Sequence, residues 1–388
     1  MIKTAASAAT LILALNMWGG TEASPYFVKI SGTMFTLAGK PFYITGVNNH
    51  YLTYGTEGEV LRVLDDSVAL GATVVRTFLQ PAIGSLDQRV PTIWNWKNTA
   101  DSSNLGVHGA YLLYWNGASG HMAINDGPNG MQKVDFLVAE AKKRGIHLII
   151  DFLDFWSYTG GAQQMRAWYG SPDQNTFFFT DPRTKNDYKN WVSYVLERVN
   201  PITKVRYKDE PSIMAWELMN EGNAEPIQLR RAWVAEMSAY IKAKDVNHMI
   251  GSGNANIRTS ELSSDLTVPT IDFGTWHGYP KYSGLTTSKF DALIPRYCNS
   301  AAVFGKPVLL EEFGYARSNH DQTDAYAKWL DTLAHSRCAG WLVWRLVSHQ
   351  DSGEYPADEY DQFDVRNDGG PLWNVLKTAN QRAAERSP

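Results

Sequence analysis

Short apolar runs recur along the chain at Tyr43–Val47, Thr73–Thr77, His147–Phe152, Ile213–Glu217, His248–Gly251, Phe273–His277, Val308–Glu311 and Gly340–Trp344. Each is nearly continuous in hydrophobicity, as strands buried on both faces are. Amphipathic segments lie between them. Glu57–Ala69 is the first, and Met131–Arg144 the second, ending at Gly145 as a helix C-cap does. Asp181-Pro182 opens a third that runs to Val199, with Asp as N-cap and Pro in the first turn. Pro226–Lys244, Ser288–Phe304, Asp321–Ser336 and Leu372–Ala384 follow, while the connection after Gly251 offers only a short helix at Arg258–Leu262. Ahead of the pattern, Phe27–Ile30 and Met34–Leu37 read as a hairpin turning at Ser31-Gly32.

Eight strands alternating with helices predict an α/β fold, a (β/α)8 TIM barrel. A doubly wound open sheet needs a topological switch and usually a glycine-rich phosphate loop, and the sequence shows neither. No linker rich in Pro, Gly and Ser interrupts the pattern, so residues 24–388 are expected to form a single catalytic domain. Residues 1–23 have the form of a signal peptide. Lys3 precedes an apolar stretch from Ala5 to Trp18, and Thr21-Glu22-Ala23 offers small residues for cleavage after Ala23. The stretch is too short and too broken by Ser7, Thr10 and Asn16 to span a bilayer. Secretion is the expectation.

Composition adds one thing. The chain carries 14 Trp, 19 Tyr and 15 Phe, and aromatic rings stack on flat apolar faces such as those of pyranose rings. The net charge of −4 comes without a block of like charge, which argues against nucleic acid or an anionic membrane as partner and suits a neutral polymer. Nothing after the leader is a membrane candidate, and a monomer is expected. Cys298 and Cys338 are compatible with one disulfide or with two buried thiols, and their spacing forms no metal site.

In a barrel, polar residues at strand C-termini face the site. Those ends carry Asn48-Asn49-His50-Tyr51, Arg76, Asp154 and Trp156, Asn220-Glu221, His277 and Tyr279, Glu311-Glu312 and Trp344. Acetal hydrolysis needs such a set, with one carboxylic acid to protonate the leaving oxygen and one carboxylate to attack from the opposite face. Glu221 after the fourth strand and Glu312 on the seventh are placed to face each other. A separation of ~5–5.5 Å means retention and ~6.5–9.5 Å inversion. Arg76 and Tyr279 are candidates to hold Glu312 ionised, and Asn220 to bind a substrate hydroxyl. The long connections Gln80–Gly130 and Ser348–Gly370 follow strand C-termini. Trp94, Trp96, His108, Tyr111, Tyr114 and Trp115 of the first are either stacking platforms or that loop's own small core, with the balance toward the core.

Trp216-Glu217-Leu218-Met219-Asn220-Glu221, Phe273–Pro280 and Lys306–Gly314 resemble glycoside hydrolase family 5, and its β-mannanase branch in particular. Gly39–Tyr43, Val74–Thr77, Asn129–Gln132 and Phe179–Pro182 add to the likeness, which runs from about Phe27 to the end. The resemblance implies Glu221 as acid/base and Glu312, directly before Phe-Gly, as nucleophile of a retaining β-1,4-mannan hydrolase. It implies substrate contacts from Arg76, Asn220, His277, Tyr279, Trp344, Trp156 and Tyr51, a mannan-type polysaccharide or oligosaccharide as partner, and neither cofactor nor metal. Glu311 has no match. Four departures are expected to fall at subsites: Gly222-Asn223 in place of Pro-Arg, Asp154-Phe155-Trp156 in place of Asn-Asn-Trp, Tyr51 in place of Trp, and Arg345 in place of Gln. They leave open an exo-acting β-mannosidase or mannobiohydrolase and a β-1,4-glucanase; a non-catalytic carbohydrate-binding barrel is a further alternative, against which the intact glutamate pair argues.

Overall fold

A computed structural model of the chain describes residues 27–93, 102–103, 105–171, 176–357 and 361–386. The expected leader, Trp94 and Trp96 lie outside these residues. Eight strands carry the architecture: β1 Ile44–Asn48, β2 Val74–Phe78, β3 His147–Asp151, β4 Ile213–Glu217, β5 Met249–Gly251, β6 Gly274–Gly278, β7 Val308–Phe313 and β8 Gly340–Val343. All are parallel, in the order β5-β4-β3-β2-β1-β8-β7-β6. Between β5 and β6, Asp272 N–H donates to Ile250 O at 2.8 Å and His277 N–H to Ala255 O at 2.7 Å, which brings the two ends of the sheet together.

Helices alternate with these strands as the pattern predicts: α1 Glu57–Leu70, α2 Met131–Lys143, α3 Pro182–Glu197, α4 Ile227–Lys242, α5 Thr259–Leu266, α6 Thr287–Ala302, α7 Gln322–His335 and α8 Pro371–Ala384. Local chemistry sets several ends. Thr56 and Glu59 form a reciprocal capping box at the start of α1, and Gly71 closes it at φ +79°, a conformation a Cβ disfavours. Asp181 accepts from Arg183 N–H at the start of α3, with Pro182 in the first turn. The helix after β5 runs four residues past its expected end, to Leu266.

Two apolar cores result. One lies between strands and helices, with Trp191, Trp216, Trp276, Trp329 and Trp341 fully buried. The other fills the barrel's N-terminal end with Ile44, Val74, Ile149, Met214, Phe273, Leu309 and Leu342. The expected hairpin, Val28–Ser31 with Met34–Leu37, covers that end and inserts Phe35 edge-on against Phe273. Polar residues are thereby left to the opposite, C-terminal end. Cys298 and Cys338 form a disulfide with Cα atoms 5.0 Å apart.

The Gln80–Gly130 connection holds a structure the sequence reading did not resolve. Ala82–Ser85, Leu113–Asn116 and His121–Ile124 make a small sheet. Trp115 packs against Trp168 and Tyr169, and Tyr111 meets Tyr114 edge-on. A short helix, Gly161–Trp168, runs beside this sheet and anchors to it through Trp168 Nε1 on Ile83 O.

Candidate active site

Arg76 is the centre of the site's floor. It sits at mid-strand in β2, level with Asn48 of β1 and Ile149 of β3, and is fully buried. Its guanidinium donates to Glu217 Oε2 and Glu312 Oε1, each at 2.7 Å, to Asn220 Oδ1 at 3.0 Å, and to Asn48 Oδ1 and Asp151 Oδ1 at 3.2 Å. Glu311 Oε2 stands 3.6 Å from its Nε. A planar fork with five N–H donors suits this fan of acceptors in a way an ammonium would not.

Above the floor lie the two glutamates. Strand β7 runs two residues further than the hydrophobic pattern indicates, so Glu311 and Glu312 are both on the strand. The β6–β7 pairing slips between Trp276 and His277, setting His277 opposite Glu312. Glu312 receives Tyr279 Oη at 2.6 Å in addition to Arg76. Glu221 follows β4 in a left-handed conformation, φ +51°, with its N–H on Gly253 O. Its carboxylate accepts from Trp156 Nε1 at 2.7 Å and faces His277 Nδ1 at 2.6 Å. Donor atoms of Glu221, His277 and Glu312 all lie within 4.8 Å of one another. Among the described residues this trio has the spacing to share an ion, but its acceptors are already engaged by Trp156, Tyr279 and Arg76.

Charge states follow from this crowding. Burial would lower the His277 pKa, but Glu312, Glu221 and Glu311 together raise it to about 10. Burial would raise that of Glu221, but His277, Trp156 and Arg76 hold it below the usual carboxylate range. Burial keeps Glu312 above that range, with Glu221 adding to the rise and His277, Arg76 and Tyr279 opposing it. Two cations, Arg76 and His277, thus face five carboxylates, and burying the excess negative charge is prohibitive. Burial and neighbouring carboxylates push Asp151 and Glu217 well above the usual carboxylate range, the direction that eases it.

The structure brings most of the sequence candidates together: Glu221, Glu312, Arg76, Asn220, His277, Tyr279 and Trp156 form one connected network. Asn220 is built into it at both ends, accepting from Arg76 and donating to Asp154 Oδ1 at 2.9 Å, which leaves one amide N–H for a ligand. Trp344 lies half-buried beside them, stacked on Phe78 at 6.0 Å. Tyr51 is 7% exposed, and its hydroxyl accepts from Ser348 N–H, so it braces the connection that follows β8. Asp154 and Arg345 are likewise buried behind the site; Arg345 bonds Asp364 and His50.

Sequence reasoning missed Asp151, Glu217 and the role of Glu311 in the charge network, although each is an acid at the end of an otherwise apolar run. It also missed Phe363. That ring, from the Ser348–Gly370 connection, stacks on Tyr279 at 5.3 Å and 11°, and no local signal marks it.

A profile for β-mannosidase-like proteins of glycoside hydrolase family 5 matches residues 128–335. The chain is 31% identical over 359 residues to mannan endo-1,4-β-mannosidase 4 of Solanum lycopersicum, covering 83% of each chain. It is 26% identical to mannan endo-1,4-β-mannosidase A of Podospora anserina, over 95% of this chain and 94% of that one. Its fold superposes on the crystal structure of the endo-1,4-β-mannanase from Rhizomucor miehei with a TM-score of 0.79 at 27% identity, covering 92% and 99% of the two chains.

Proposed function

We propose, given that this chain belongs to glycoside hydrolase family 5 in its β-mannosidase-like group, that it is a secreted endo-acting hydrolase of β-1,4-mannan. The observation that carries the reading is the pair of unlike carboxylates meeting within 4.8 Å at the barrel's C-terminal end. So close an approach of one oxygen from each supports direct attack on the anomeric carbon, as in retaining enzymes.

In this reading Glu312 is the nucleophile. Arg76 and Tyr279 orient its two oxygens, and Arg76 favours its ionised form. Glu221 is the acid. Its proton is held on the short hydrogen bond to His277 Nδ1 and passes through Glu221 to the leaving oxygen. Once Glu312 has become a glycosyl ester its charge is gone. Glu221, relieved of a like-charged neighbour, is then free to take a proton from water in the second step. Trp156 and Trp344 flank the pair as ring platforms, and the spare N–H of Asn220 faces a hydroxyl of the reacting sugar. Export is supported by the leader-like residues 1–23 and by the Cys298–Cys338 bridge, which suits an oxidising compartment.

The experiment is a comparison of parent, Glu221→Gln and Glu312→Gln on linear mannan and on cello-oligosaccharides. Each variant is expected to keep the parent's thermal unfolding and lose several orders of magnitude in turnover. The parent should give a fast fall in viscosity with mixed manno-oligomers. Mannose or mannobiose alone from the first minutes would reject the endo mode, and turnover near the parent's in either variant would reject the assignment.

A further inference from the structure

Outside the carboxylate network, the inserted sheet and the start of α3 enclose two adjoining hollows of about 340 and about 440 Å³. Both are within the usual size of small-ligand sites. They share His121, Asn186 and Asp187, so they form one groove. Its aromatic wall is Trp115 and Tyr169, both half-buried. Trp115 meets Tyr169 edge-on at 5.4 Å and rests at 6.2 Å from the buried Trp168. The Tyr169 hydroxyl donates to the buried Asp187 carboxylate, and the Arg183 guanidinium lies 4.5 Å over the ring. These rings are fixed before any ligand arrives, which lowers the entropy lost on binding.

The polar wall is α3. Asn186 and Asn190 stand four residues apart on one exposed helix face. Among the described residues neither amide has a hydrogen-bond partner. Of the charged groups in the lining, Arg183 is paired with Asp181 at 2.9 Å, and Asp187 is 3% exposed and accepts the Tyr169 hydroxyl. The groove therefore offers chiefly ring faces and amides, beside the imidazole of His121. That chemistry recognises a neutral ligand with flat apolar faces and many hydroxyls. Trp156, which touches the acid, precedes the Gly161–Trp168 helix, and Tyr169 follows it. None of the residues lining the groove belongs to the carboxylate network, so the groove lies apart from the reacting centre.

We propose that this groove is a second, non-catalytic binding site for a β-linked chain of neutral pyranoses, the same polymer the active site cleaves. The identity of the polymer rests on the functional reading above; the existence of the site does not. A chain held there raises the polymer concentration at the cleft and leaves short substrates unaffected.

The test uses the full chain with Glu221→Gln added wherever digestion must be stopped. Mobility is measured in native gels containing soluble linear β-1,4-mannan or a cellulose derivative. Trp115→Ala and the double variant Asn186→Ala with Asn190→Ala are compared with their parent. Both should weaken retardation in mannan and raise KM on the polymer, by about 2- to 12-fold for the loss of one stacking ring. Their kcat/KM on an aryl β-mannobioside should not change. The double variant decides the matter should Trp115→Ala disturb the hairpin, because its positions are exposed on a helix that tolerates alanine. Retardation and polymer KM equal to the parent's in the double variant would overturn the groove. Absence of mannan hydrolysis, with retardation still lost in the double variant, would overturn the substrate reading and uphold the groove.

Discussion

Replacing Arg76 by methionine should destabilise the protein in a way that depends on pH. Arg76 is fully buried and donates to five acceptors on four strands or their ends. Methionine fills similar volume but leaves the carboxylates without their cation. Removing one partner from a buried ion pair typically costs ~3–5 kcal/mol. At ~2 cal/mol/K of unfolding entropy per residue, a chain of 388 residues loses ~1.2 °C per kcal/mol, so the midpoint should fall by about 4–6 °C at neutral pH. The sign of the pH effect follows from the acids. In the parent, Arg76 is the chief opponent of burial at Glu311, whose pKa is lowered. That stabilisation is present above the unfolded carboxylate pKa and is lost only as pH falls through the lowered value. In the variant these pKa values move up. Folding must then take up protons, and the penalty grows as pH rises from the unfolded pKa of ~4.3 toward the raised ones. The deficit should thus be largest near pH 7–8 and small near pH 4. Thermal unfolding by circular dichroism across that range measures it. A deficit that is the same at pH 4 and pH 8, or a midpoint unchanged at pH 7, would refute the picture of Arg76 as the counter-charge of the floor.

Trp156→Phe removes the donor 2.7 Å from Glu221, one of the bonds holding that pKa down. The acid must be protonated to act, so the alkaline limb of kcat/KM should move to higher pH; an unmoved limb would show that the bond does not tune the acid. Gly314→Ala builds a Cβ 2.7 Å from the Phe363 ring, which in turn stacks on Tyr279. A crystal structure of the variant should show Phe363 and Tyr279 displaced, and kcat should fall by about 5- to 30-fold for the ~1–2 kcal/mol usual when a nucleophile's hydrogen bond is misaligned. Parent-like kcat would mean that Tyr279 does not need this support.

The barrel was legible because its signal is repeated. All eight strands stand within two residues of the apolar runs, since strands buried on both faces have no polar alternation to blur them. Glu221, Glu312 and Arg76 were legible because charged residues in or just after apolar strands are rare against such a background; Arg76 itself proves to sit at mid-strand. The Leu113–Asn116 and His121–Ile124 strands were not. They are half-exposed, with Asn116 and His121 at their tip, so they resemble loop. The bond of Tyr51 was hidden for a different reason: strand-end position fixes where a backbone goes, but its hydroxyl accepts a backbone N–H in a connection nearly 300 residues away, at Ser348. Long-range partners of this kind, Phe363 on Tyr279 among them, leave no trace in local pattern.

The left-handed backbone at Glu221 has a bearing on how this enzyme would respond to selection. A side chain in that conformation costs ~1–2 kcal/mol that glycine does not incur. Glycine at this position would relieve that backbone cost, so one direct route to a tougher fold passes through loss of the acid. A library of heat-tolerant clones chosen for survival alone should therefore be enriched in inactive ones altered at position 221. Only a screen that asks for turnover at every round would keep the glutamate in place.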